Sequence, residues 1–77
     1  MKHHIALYNG RAVPMDYLAP SKEFQFACMR IQDNGASGYV FTPNGQVYKI
    51  TQGKRLAILL KDETQKAAAF AELAKLQ

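Results

Sequence analysis

The sequence predicts an α+β fold: a mainly antiparallel sheet of about four to five strands, with one amphipathic α-helix at the C-terminal end packed on one face. Three observations carry this. Asn-Gly occurs twice between apolar runs, at Asn9-Gly10 and Asn44-Gly45; Arg55 to Leu60 forms an apolar stretch of strand length; and nearly every residue from Gln65 to Leu76 is a strong helix former.

Asn-Gly is a hairpin signal because both residues tolerate the positive φ that a type I′ turn demands. Around Asn9-Gly10 a two-residue loop pairs Tyr8 with Arg11 and Leu7 with Ala12, which puts Ile5, Leu7 and Ala12 on one face; Pro14 limits pairing beyond. Pro14 to Glu23, with two prolines and no sustained period, reads as a connection with a helical turn around Asp16 to Ala19, anchored by Tyr17 and Leu18.

Phe24 to Gln32 fits two templates. Phe24, Ala27, Cys28 and Ile31 have the i, i+3, i+4, i+7 spacing of a helix that Ser21 caps and Asn34-Gly35 ends. Phe24, Phe26, Cys28 and Ile31 are also strand formers, and Asp33 to Gly38 then joins two strands. The strand is the preferred reading. It places Ala27, Met29 and Ile31 on the core face, and Phe24, Phe26, Cys28 and Arg30 on the opposite one.

The central hairpin is Tyr39 to Thr51. A two-residue loop at Asn44-Gly45 sets Pro43 against Gln46, Thr42 against Val47, Phe41 against Tyr48 and Tyr39 against Ile50. Tyr39, Phe41, Tyr48 and Ile50 then share the core face, and Val40, Thr42, Val47, Lys49 and Thr51 the other. Gln52-Gly53 makes a turn, Arg55 to Leu60 reads as a buried strand, and Asp62 or Thr64 opens the last helix, with acid at the positive end of its dipole. On that helix Ala67, Ala69, Phe70, Leu73, Ala74 and Leu76 form a broad apolar side.

Composition bounds function loosely. A chain of 77 residues is read as one domain, residues 1–77, with room for one core. The net charge of +4 is spread along the chain, with only Lys54-Arg55 adjacent, so there is no basic tract. Cys28 is the only cysteine, which rules out an internal disulfide. No apolar run approaches the roughly 18 residues of a membrane span, and no leader is recognisable at the N-terminus, so a cytoplasmic protein is expected.

Candidate chemistry is sparse. Met1-Lys2-His3 has the nitrogen set that binds Cu(II) or Ni(II) at any free terminus, with an exposed strand start as the plainer reading. Cys28 with His3 or His4 has the residue types of a nucleophile and base, but nothing in the sequence joins them, and a packed cysteine is the default. The carboxylates fall at turns and helix ends, and Asn34-Gly35-Ala36-Ser37-Gly38 lacks the lysine of a phosphate loop. No catalytic residue, metal site or cofactor is expected, nor any small-molecule substrate.

With one helix for one sheet face, the second apolar face needs a cover: the N-terminal hairpin, a second copy, or another protein. The expected function is therefore that of a non-catalytic binding protein, accessory or inhibitory, docking a sheet face or edge on a protein partner or on itself. Phe24, Phe26, Arg30, Val40, Val47, Lys49, Lys54 and Arg55 are the expected partner-binding residues. The alternative is a small basic nucleic-acid-binding protein that stacks bases on the same aromatic face, with Lys and Arg neutralising phosphates. No membrane partner is expected.

Overall fold

The computed structural model describes residues 3–15, 20–53 and 56–76. Its first element is the expected hairpin. Strands β1 (Ile5–Tyr8) and β2 (Arg11–Pro14) pair Tyr8 with Arg11 and Leu7 with Ala12, and Asn9 (φ 50°) and Gly10 (φ 70°) both take the positive φ of a type I′ turn.

Helix α1 (Pro20–Asp33) follows, where a strand over residues 24–32 was expected. The 3.6 period prevails over strand propensity. Ala27 and Ile31 are fully buried, with Phe24 and Cys28 packed beside them, while Phe26 and Met29 are about half exposed. The C-terminal stop decides the matter locally. Gly35 (φ 62°) donates its N–H to Gln32 O at 2.9 Å and Ala36 donates to Ile31 O at 3.2 Å, a Schellman ending sealed by the buried Ile31 and Ala36 side chains. The Asn34-Gly35 pair is thus a helix terminator and not a strand-to-strand loop. Helical structure begins at Pro20, and the turn expected at Asp16 to Ala19 lies outside the described residues, as do Tyr17 and Leu18.

Strands β3 (Gly38–Phe41) and β4 (Val47–Ile50) form the second hairpin, but one residue out of the expected register. Phe41 faces Val47, Val40 faces Tyr48, Tyr39 faces Lys49 and Gly38 faces Ile50. Pro43 is the cause. In a two-residue loop it would close the ladder opposite Gln46, a position that must donate an N–H, and proline has none. The chain instead makes a three-residue loop: Thr42 N–H bonds Gln46 O at 2.9 Å, Gly45 N–H bonds Thr42 O at 3.1 Å, and only Gly45 (φ 87°) is left-handed. The Thr42 hydroxyl accepts from Gln46 N–H at 2.9 Å and bonds Asn44 Oδ1.

That slip redistributes the side chains, because a one-residue change of register exchanges the faces of one strand against the other. Tyr39 and Phe41 share a face with Val47 and Lys49, while Val40 lies with Tyr48 and Ile50. Strand β5 (Ala57–Leu59) pairs with β4 and completes a five-stranded antiparallel sheet of order β2-β1-β3-β4-β5. The N-terminal hairpin therefore joins the sheet through β1 and β3 and does not fold across it.

Both faces carry a helix. On one, Ala27 and Ile31 of α1 pack with Ala6, Tyr8, Val40 and Ile50; on the other, Ala69 and Leu73 of α2 (Glu63–Lys75) pack with Ile5, Leu7, Phe41, Val47 and Leu60. The sheet is apolar on both sides, as its sequence requires, and the second face that awaited a partner is covered by α1. Helix α2 opens at Asp62, whose Oδ1 accepts from Thr64 and Gln65 N–H at 2.7 and 3.1 Å. Its packed stripe is narrower than expected: Ala69 and Leu73 are buried and Phe70 stacks obliquely on Phe41 at 5.2 Å, whereas Ala67, Ala74 and Leu76 are exposed.

Candidate functional site: the β5 edge and the groove beside α1

The expected partner-binding residues do not form one surface. Val40 is fully buried beneath α1, and Val47 is fully buried on the α2 face. Phe24 is half-buried, its ring 4.7 Å from Tyr48 in an edge-on contact. Phe26 and Arg30 are exposed on α1, and Lys49 is exposed on β4 on the α2 side, opposite Ile58. Lys54 and Arg55 lie outside the described residues.

The structure draws attention instead to the two edges of the sheet. An edge strand presents unpaired N–H and C=O groups, and proteins blunt such edges with proline or charge. Strand β2 does so with Arg11 and Pro14, both exposed. Strand β5 does not: from Leu56 to Leu60 there is no charge and no proline. Leu56 is 74% exposed and Ile58 56%. The expectation of a buried strand here is corrected by topology, since among the described residues β5 has a strand neighbour on one side only, and the core under α2 takes in Leu60 but not Ile58.

Hydrogen-bond parity fixes what this edge offers. Leu60 N–H donates to Val47 O at 2.9 Å, so the ladder alternation makes Lys49 and Ile58 the next bonded pair. The N–H and C=O groups of Ala57 and Leu59 therefore point away from β4. Side chains alternate likewise: Leu56 and Ile58 lie on the α2 face, Ala57 and Leu59 on the α1 face.

On the α1 face the edge borders a groove of about 470 Å³ between helix and sheet, walled by Phe24, Cys28, Met29, Tyr48 and Ala57, with Gln25 and Gln32 as its polar lining. Met29 is half exposed along it. The Cys28 thiol is pushed by burial from 9.0 up to about 11, so it stays protonated and serves as an apolar wall.

A second concavity, of about 350 Å³, lies where His4, Phe24, Thr42 and Tyr48 meet. Behind it His4 Nδ1 lies 3.0 Å from Oε2 of the buried Glu23, linking the start of β1 to the first turn of α1. The imidazole gives the buried carboxylate a hydrogen-bond partner. The structure thus places His4 against Glu23, and Cys28 separately, on the groove wall. Among the described residues no group of three or more His, Cys, Asp or Glu side chains is placed to hold a metal ion, and no helix is long and apolar enough to cross a membrane. The terminal Met1-Lys2-His3 copper motif has its first two residues outside the described ones.

Sequence reasoning missed Leu56, Ile58 and Met29. The signal was present in the uncharged run Leu56 to Leu60, but an apolar run of strand length has the same appearance at a sheet centre as at an unprotected edge. Compared with protein-family models, with curated proteins and with solved structures, the chain matches none.

Proposed function

We propose that this chain is a small non-catalytic binding protein that docks on a protein partner through the β5 edge of its sheet. The observation that carries the reading is the asymmetry of the two edges: β2 is protected by Arg11 and Pro14, and β5 is open and apolar, with Leu56 and Ile58 exposed. Exposed apolar side chains on an unblunted edge are an aggregation hazard unless something covers them. An apolar centre with Lys49 and Lys61 around it has the anatomy of an interface core with a polar rim.

Ile58→Lys tests this. The side chain is more than half exposed, so the variant keeps its fold, checked by circular dichroism and by its urea midpoint. Proteins that co-purify with the tagged wild-type chain should be lost with Ile58→Lys and with Leu56→Asp, and retained with Phe26→Lys on the outer side of α1. An unchanged set of bound proteins in folded Ile58→Lys would refute the reading.

A further inference from the structure

Building on that edge-docking function, we infer that the partner enters as an extended segment that adds a sixth strand beside β5, apolar in its middle and carrying a carboxylate at the end beside Lys61. Three features define the occupant. Ala57 and Leu59 turn their backbone N–H and C=O groups outward, which is the hydrogen-bonding register an added strand requires. The two rows of side chains on such a strand meet different surfaces: one row lies over Leu56 and Ile58, and the other drops into the groove between α1 and the edge, against Met29, Cys28 and Ala57. The centre of each surface is apolar, Leu56 and Ile58 on one and Met29, Cys28 and Ala57 on the other, with Gln25 and Gln32 also lining the groove, so the middle of the segment is apolar on both rows.

Charge fixes one end. Lys49 stands directly opposite Ile58 on the neighbouring strand, and Lys61 follows the edge; both are exposed and neither has an ion-pair partner among the described residues. Of the acids near by, Asp62 turns its carboxylate to the α2 amides, Glu63 lies 3.6 Å from Lys66, and Glu72 shares a concavity with Lys49 and Lys75. Lys61 is therefore a cation left open to a partner at the end of the edge, and an acidic end on the added strand complements it within a Debye length of about 8 Å. A second copy of the chain would bring the same cations to the same edge, which disfavours self-pairing.

The test is selection of a random peptide display library on the immobilised full chain, followed by titration of the selected synthetic peptides into labelled protein by NMR. The expected consensus is apolar in its middle and carries Asp or Glu at one end. On titration, the amides of Ala57 and Leu59 should shift and become protected from exchange while that of Ile58 keeps its existing protection. Ile58→Lys and Met29→Glu, both at exposed positions, should each weaken binding at least tenfold, and added salt should weaken it further.

Peptides that bind at β5 without an acidic end would overturn the charge assignment and leave edge docking standing. Selection that yields no β5-binding peptide, while Ile58→Lys still loses its co-purifying protein, would overturn strand addition alone. A dimer in light scattering with Ala57 and Leu59 protected in the absence of peptide would make the occupant a second copy and overturn the inference.

Discussion

Gly38 is where β3 and β1 approach too closely for any side chain, and Gly38→Ala is the substitution whose effect follows most directly from the geometry. A Cβ built there would lie 2.1 Å from Leu7 O and 3.0 Å from Tyr8 Cβ. The first contact is about 1.3 Å shorter than the 3.4 Å of ordinary packing, and its partner is backbone, which has no rotamer to escape into. Relief requires β1 to move against β3, across the Ile5↔Phe41 to Tyr8↔Gly38 ladder, and both cores draw on β1. Overpacking of this kind costs about 1–3 kcal/mol, and a clash with backbone belongs at the upper end. A chain of this size has roughly 4–12 kcal/mol of stability in all. With a urea m-value of about 1 kcal/mol/M, the midpoint should fall by about 2–3 M, read by circular dichroism at 222 nm. Gly45→Ala is the control: its Cβ meets nothing within 4 Å, but its φ of 87° makes alanine cost about 1–2 kcal/mol. A Gly38→Ala midpoint within about 0.3 M of wild type, or a larger loss for Gly45→Ala, would refute the close-approach argument.

Other outcomes follow from single contacts. His4→Ala leaves the buried Glu23 carboxylate without its imidazole and should cost about 1–3 kcal/mol in urea unfolding at neutral pH. Asp62→Ala removes the acceptor for two α2 amides and should cost about 1 kcal/mol, whereas Asp62→Asn, which keeps an oxygen there, should lose much less. Cys28, raised to about 11, should be alkylated by iodoacetamide at pH 8 roughly 100-fold more slowly than in the urea-unfolded chain. The sign of the linkage is set by the raised value: the stability from the neutral, packed thiol is fully present below pH 9.0 and declines as pH rises towards about 11, and Cys28→Ser should abolish that part of the alkaline decline.

Local signals were legible where the residue types match what a turn or a helix cap demands. Asn9-Gly10 specifies a type I′ turn and the register of β1 and β2 with it, and Asp62 specifies the start of α2. Asn44-Gly45 looks the same in sequence, but Pro43, unable to donate to the ladder, lengthens the loop by one residue and moves Tyr48 and Ile50 to the other side of the sheet. The effect of that proline is itself readable in the sequence, once its position is weighed as a missing N–H. Residues 24–32 were less decidable, because aromatic and aliphatic residues serve helix and strand alike, and the outcome rests on a Schellman ending and on a sheet face to be covered.

The sequence by itself determined that the chain forms an α+β fold, that its sheet is apolar on both sides, and that a capped helix closes it. It also determined that Leu56 to Leu60 carries no charge. Only the tertiary structure decided which helix covers which face, and that this uncharged run sits at an edge with Leu56 and Ile58 in solvent. The reason is physical: side-chain periodicity encodes how many faces of an element are apolar, whereas strand order, which sets the last neighbour and leaves Ala57 and Leu59 unpaired, depends on contacts between segments far apart in the chain.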